Sequence, residues 1–300
     1  LSAARELAEG KFDEEFPIDV ISAGAGTPFN MNANEIIANR ANEILGKPLG
    51  TYNPVHPNNH VNMSQSSNDV TPTAIRVASL LLIGKLVPSL EKLIGGIKDI
   101  AIKYSRLVKV GRTHLEDAVP ITVGQEFRAF ATSLEKSKKR LMAASHELLE
   151  LGLGGTALGT GINTHPSYQK KVVAKLAKLT RFPFLPTEDM CETTSSMNVF
   201  VSTSGAGRML AIDLTKIAND LKLLNMGPLA GIAEITLPEV EPGSSIMPGK
   251  VNPVIPEAVS QAAIAVFGYD QMVVQAASAG TLELSQFLPL VAESLLASLD

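Results

Sequence analysis

The stretch from Thr71 to Ser105 constrains the fold more than any other part of the chain. Its residues Ile75, Leu80, Ile83, Leu86, Leu90, Leu93 and Ile97 recur at helical rather than strand spacing over many turns. Thr71-Pro72 offers a capping side chain followed by a proline at the first helical position, and Pro88 is expected to kink or bend the helix. The pattern then repeats. Asn34–Leu45 carries Ile36, Ile37, Ala41 and Leu45 and stops before Gly46, while Val123–Leu151 has a polar face of Glu135, Lys136, Lys138, Lys139 and Arg140. Asp189–Leu224, Pro253–Ser278 and Leu282–Leu299 complete the set, and few segments alternate as strands do. The expected fold is all-α, a bundle of helices longer than average.

Composition narrows the function classes. Lys and Arg number 26 against 30 Asp and Glu, a net charge of -4, which offers no basic surface to nucleic acid or to an anionic membrane. The longest greasy stretch, near Ala78–Ile83, is far shorter than the roughly 20 residues of a membrane helix, so no membrane partner is expected. Leu1–Leu7 reads as an amphipathic helix already under way rather than a secretory leader. The single Cys191 excludes an internal disulfide and fits a cytoplasmic location. Both ends read as cut, with no initial Met and with Ser294–Leu299 stopping inside a helical pattern, so the chain is expected to be a piece of a longer protein.

No cofactor is expected. The five His residues (His56, His60, His114, His146 and His165) show no H-E-x-x-H spacing, and neither a G-x-S-x-G elbow nor a Walker loop is present. Gly152-Leu153-Gly154-Gly155-Thr156-Ala157 superficially fits a dinucleotide fingerprint. With a long helical pattern before it and no strand expected there, it reads instead as a tight helix-to-helix connection.

Between the helices lie glycine-rich segments dense in hydroxyls and amides, and function is sought there. The densest is Gly243-Ser244-Ser245-Ile246-Met247-Pro248-Gly249-Lys250-Val251-Asn252, a turn-rich run whose hydroxyls, amides and Lys250 can converge on an anion. A surface turn between two helices is the alternative. Ser66-Ser67-Asn68-Asp69 stands just ahead of a helix N-terminus, where free amides and the dipole favour an anion; capping alone needs only one such residue. Gly111–Pro120 carries Thr113-His114 beside Glu116 and Asp117, so His114 can relay a proton or simply donate to a carboxylate. Gly24–Asn34 sets Thr27 on a glycine turn, with Asn34 as a candidate helix cap.

Gly243–Asn252 followed by Pro253, together with Ser64–Asp69 and Gly111–His114, resembles the aspartase/fumarase superfamily, and the motifs match in order over essentially the whole chain. The resemblance implies a central helical bundle shared by a homotetramer, with residues 1–66 ending an N-terminal domain, 67–300 forming the bundle and a C-terminal domain lying beyond. It implies reversible elimination from a small dicarboxylate to give fumarate. Carried over by motif, Ser244 is the general base; Thr27, Ser66, Ser67 and Ser245 hold the reacting carboxylate; Thr113, Lys250 and Asn252 hold the other; Asn68 and His114 face the leaving group. His114 and Lys250 count with Ser244 as catalytic.

Gly24–Thr27, Glu188-Asp189, Glu192–Ser195, Val254–Glu257 and Ala276–Gly280 resemble the aspartase branch, whereas Pro54–Pro57, Ser66–Asp69, Gly155–Ala157 and Asn163–Pro166 resemble the fumarase branch. The expectation is ammonia elimination from L-aspartate, with dehydration of L-malate as the alternative and a catalytically silent helical scaffold as a reading of another class. Glu116, Asn59, Leu229, Pro28-Phe29 and Ser285-Gln286 depart from the patterns of both branches.

Overall fold

A computed structural model describes residues 1–300. Nine α-helices dominate: α1 (Ser2–Ala8), α2 (Thr27–Ile44), α3 (Ser67–Lys103), α4 (Val123–Glu147), α5 (Tyr168–Thr180), α6 (Met190–Ser195), α7 (Asn198–Leu224), α8 (Val254–Ser278) and α9 (Leu288–Leu299). A π-helical turn covers Pro57–Val61, and four short strands occur: β1 (Val108–Thr113), β2 (Glu116–Thr122), β3 (Glu150–Leu151) and β4 (Leu185–Pro186). The all-α expectation holds.

The chain divides into two compact units, each assembled from three stretches: Leu1–Leu82, Ser145–Ser202 and Gln271–Ala297 form the first, and Ile83–Ala144, Thr203–Asp270 and Ser298–Asp300 the second. The first unit buries Ile75, Leu80, Leu148, Leu151, Val173, Phe200, Leu288 and Leu295. It also buries Arg76, whose guanidinium lies 5.2 Å from the centre of the Phe200 ring. Burial pushes that guanidinium down to about 10, with the charges of Glu192 and Glu150 opposing the shift. The second unit packs Leu90, Ile94, Ile97 and Ala101 of α3 against Phe127, Phe130, Ala131 and Leu134 of α4 and Leu210 and Ile217 of α7. Polar pins reinforce it: Ser133 and Ser137 both donate to Asp213, at 2.5 and 2.6 Å, and the buried Asp270 accepts from Ser204 and Arg208, each at 2.7 Å.

Several boundaries differ from the sequence reading, each for a local reason. Helix α3 starts four residues before Thr71 because Ser66 and Asp69 cap it reciprocally: the Asn68 amide donates to Ser66 Oγ at 3.2 Å and the Ser66 amide to Asp69 Oδ1 at 3.0 Å. The helix runs on through Pro88, which leaves the Gly84 carbonyl without its helical donor. Asn34 caps nothing. It is buried inside α2, which begins at Thr27, and its amide donates to Asn62 Oδ1 at 2.9 Å. The single helix expected over Asp189–Leu224 is two, parted where Ser196 turns extended at φ -101 and ψ 130.

The largest correction concerns Gly111–Pro120, expected to be a loop. It is the tip and both arms of an antiparallel hairpin, with Thr113 paired to Glu116 and a bulge between Val110 and Arg112. His114 and Leu115 form the two-residue turn, both left-handed at φ 56 and 65, the sign pattern of the turns that suit strand twist. Neither residue is the Gly or Asn that normally announces such a turn.

Helix α3 contains an 18-residue window of mean hydropathy 1.5, so by length and composition it is long enough to cross a bilayer. Arg76, Ser79 and Lys85 break its apolar residues into short runs, so no long greasy stretch marks it in the sequence. Within the chain that apolar content enters the cores of both units through Ile75, Leu80, Ile83, Leu90, Ile94 and Ile97.

Candidate active site

In the first unit the N-termini of α2 and α3 converge. Gly26 precedes α2 in the left-handed region at φ 85, and a Cβ there would stand 2.5 Å from the Thr71 methyl, so only glycine allows the approach. Asn30, one turn into α2, donates to Ser67 Oγ at 3.3 Å and to Asn62 Oδ1 at 3.1 Å. The exposed Thr27 therefore lies in the same corner as Ser66, Ser67 and Asn68. The positive dipole ends of two helices, with the Thr27 hydroxyl exposed beside them, make that corner suited to a carboxylate.

Asp69 anchors the corner from below. Its Oδ2 accepts the Gly154 amide at 3.0 Å and the Thr156 amide at 2.9 Å, while Asn68 donates to the Ala157 carbonyl at 2.8 Å. Burial pushes the Asp69 carboxyl up, and the amides of Ser66, Thr156 and Gly154 pull against that shift. This explains the glycine-rich run at Gly152–Ala157. The two-residue strand β3 does precede it, contrary to expectation, and pairs in parallel with β4 beyond α5. Its amides nevertheless face an internal carboxylate instead of a pyrophosphate. Sequence reasoning missed the pairing, although a glycine cluster free to turn its amides inward signals that some anion must fill it.

In the second unit Thr113 ends β1 and His114 opens the hairpin turn, both exposed. The cross-strand pairing puts Thr113 and Glu116 on one face of the hairpin, with Cβ atoms expected about 5 Å apart. Glu116 is thus a carboxylate beside the candidate substrate donor.

Also in the second unit, Gly243–Asn252 is a closed loop whose hydrogen bonds are internal. Asn252 Nδ2 donates to the Gly243 carbonyl at 2.6 Å, and the Lys250 amide donates to the Met247 carbonyl at 3.2 Å. A Cβ on Gly243 would fall 2.0 Å from the Lys250 carbonyl oxygen, so this glycine serves close approach of the two loop ends. Gly249 takes the left-handed conformation at φ 81. Ser244 Oγ accepts from two amides of its own loop, Ile246 at 3.3 Å and Met247 at 3.1 Å. Ser245 and Lys250 are exposed, and Asn252 is partly buried.

The candidate residues thus gather on three platforms: Thr27 with Ser66, Ser67 and Asn68; Thr113 with His114; and Ser244, Ser245, Lys250 and Asn252 on one loop. No group of three or more His, Cys, Asp and Glu side chains is arranged to hold an ion.

Known proteins resemble the chain in sequence and in fold. A family model described as Lyase matches residues 1–268. The chain is 52% identical over 291 residues to an aspartate ammonia-lyase of Pseudomonas fluorescens, covering 97% of this chain and 61% of that protein. It is 47% identical over 298 residues to a class II fumarate hydratase of Neisseria meningitidis serogroup A, covering 99% of this chain and 64% of that one. The crystal structure of a fumarate lyase:delta crystallin from Brucella melitensis superimposes with a TM-score of 0.96 at 47% identity, over 99% of this chain and 65% of that chain. The chain therefore spans less than two thirds of the length of these relatives. Motifs, fold and relatives agree that the chain belongs to the lyase family, within the aspartase/fumarase superfamily.

Proposed function

We propose that the full-length protein catalyses the reversible elimination of ammonia from L-aspartate to give fumarate, with Ser244 as the base. The 52% identity to an aspartate ammonia-lyase supports the substrate, and the observation that supports the base is the pair of amides, Ile246 and Met247, aimed at Ser244 Oγ. A serine hydroxyl is far too weak an acid to serve as a base unless its alkoxide is stabilised, and preorganised amides can contribute about 3 kcal/mol apiece to a developing oxyanion.

In the proposed reaction the Ser244 alkoxide takes the proton beside one substrate carboxylate, which becomes an aci-carboxylate with two negative charges. The C–N bond then breaks with its electron pair on nitrogen, and the new carbon–carbon double bond gives fumarate. Thr27, Ser66, Ser67 and Ser245 would hold the reacting carboxylate, a role supported by the two helix N-termini that meet there. Thr113, Lys250 and Asn252 would hold the second carboxylate, and Asn68 and His114 would face the leaving amine.

The three platforms would meet across subunits of a homotetramer, so a monomer would be inactive. Exposed apolar side chains on the long helices, Leu93, Ile212 and Ile264 among them, support burial against further copies. Residues 1–66 would close an N-terminal domain and 67–300 form the shared bundle. The lone Cys191 supports a reducing, cytoplasmic setting.

A second reading is the fumarase reaction on L-malate, supported by the 47% identity to a class II fumarate hydratase. Ultraviolet detection of fumarate after adding L-aspartate, and separately L-malate, to the full-length protein distinguishes them. Fumarate from aspartate alone is expected; fumarate from malate alone supports the second reading, and none from either leaves a silent scaffold.

A further inference from the structure

A four-residue ion network lies just below the tip of the hairpin, and no step of the proposed reaction uses it. Lys109 of β1 stands between two carboxylates, 2.8 Å from Glu126 of α4 and 2.6 Å from Glu234, and its side chain is only 8% exposed. Arg112 of the same strand reaches the other oxygen of Glu234 at 2.7 Å. Glu234 alone touches both cations. Without it, Lys109 keeps Glu126, but Arg112 keeps only Asp117, which lies 3.9 Å away and is 81% exposed.

Glu234 is itself rigidly mounted. Its amide and that of Ile235 both donate to the Leu224 carbonyl at the end of α7, at 2.9 and 3.2 Å, and the Ala233 amide donates to Met226 at 2.8 Å. A Cβ on Gly231 would fall 2.2 Å from the Met226 carbonyl oxygen, so the turn between α7 and Glu234 is tightly wound. The carboxylate is thus fixed to the helix end, while its two cationic partners bracket the bulge between Val110 and Arg112. Arg112 immediately precedes Thr113 and His114, and nine residues beyond Glu234 the loop bearing Ser244 begins.

We infer that Glu234 is a positioning residue: by gripping Lys109 and Arg112 together it sets the height and direction of the hairpin tip that presents Thr113 and His114. The inference rests on the proposed role of that tip in substrate binding. The chemical rationale is geometric. A bidentate carboxylate held on a rigid element and bonded to two cations on one strand fixes both translation and tilt, which neither ion pair could do alone. Misplacement of a binding group by about 1 Å is enough to cost on the order of a hundredfold in rate.

The test is a double-mutant cycle on the full-length enzyme, following fumarate release from L-aspartate. Glu234→Gln is expected to lower kcat/KM by about ten- to a hundredfold, and Glu234→Asp, which keeps the charge on a shorter arm, to recover part of it. The variant carrying both Thr113→Ala and His114→Ala is expected to lose activity by itself, and adding Glu234→Gln to it should cost no more than about threefold further, because both groups being positioned are already gone. Losses that multiply when Glu234→Gln is added to the tip variant, or a Glu234→Gln enzyme within about twofold of the parent, would overturn the inference. If the variant lacking both Thr113 and His114 side chains retains the parent kcat/KM while Ser244→Ala is inactive, the assignment of the hairpin tip is at fault and Glu234 has nothing to position. If Ser244→Ala retains it too, the proposed reaction mechanism itself falls.

Discussion

Asp69 Oδ2 receives the Gly154 amide at 3.0 Å, a bond that joins residues separated by 85 positions in the chain and ties the start of α3 to the glycine-rich run after β3. With Thr156 and Ser66 also donating, the carboxylate is enclosed by three amides. Asp69→Asn puts an amide hydrogen where an acceptor was and leaves at least one buried donor unpaired. The expected cost is about 2 kcal/mol of stability, read as a fall in the urea midpoint at unchanged slope. An unchanged midpoint would mean that the amides find water or another partner.

Gly243 is expected to be intolerant of any side chain. A single methyl would meet the Lys250 carbonyl at 2.0 Å, forcing the ends of the loop apart and breaking the Asn252 bond to the Gly243 carbonyl. Gly243→Ala should cut kcat by about a hundredfold or more while shifting the melting temperature little, since the loop is mostly exposed. Steady-state kinetics beside a thermal melt checks both halves of the claim.

Glu116 faces the same side of the hairpin as Thr113 and carries a charge that a doubly anionic ligand should avoid more than a zwitterion. L-aspartate brings an ammonium group to the site; L-malate does not. Glu116→Gln is therefore expected to tighten malate competition against aspartate turnover by several-fold, within the roughly 1 kcal/mol of a screened contact. Inhibition constants for malate, measured on both proteins, decide this, and an unchanged ratio would place Glu116 out of range of the substrate.

Acid should loosen the hairpin through Glu234. Burial acts to raise its carboxyl, but hydrogen bonds from Arg112 and Lys109 outweigh that and hold it below its ordinary value of 4.5. A carboxyl depressed in the folded state stabilises the fold fully above its unfolded value, and that contribution is lost as pH falls below 4.5 and through the folded value. Glu234→Gln should flatten the stability profile in that window. Denaturant titrations at several acidic pH values on both proteins provide the check.

How much of this was legible beforehand follows from the kind of signal each element carries. The helices were, because Ile75, Leu80, Ile83, Leu90 and Ile97 repeat over enough turns for periodicity to outweigh propensity. The hairpin was not. Its turn places His114 and Leu115 in left-handed conformations that neither side chain advertises, and Gly111 sits in the strand because a Cβ would fall 2.7 Å from the Val119 carbonyl. The break between α6 and α7 falls at Ser196-Met197, where no glycine or proline marks it. In the candidate site the hydroxyls and Lys250 were visible by type, but the partners that orient them were not. Asp69 reaches Gly154, and Glu234 reaches Arg112, across long stretches of chain that no local pattern records.

The central claim is that Ser244, cradled by the Ile246 and Met247 amides, removes the substrate proton. The most direct measurement is fumarate formation from L-aspartate by the full-length Ser244→Ala protein, followed by ultraviolet absorbance, with size-exclusion chromatography of the same sample. An assembly of unchanged size with turnover reduced to background is the expected result. Turnover close to that of the parent enzyme would contradict it.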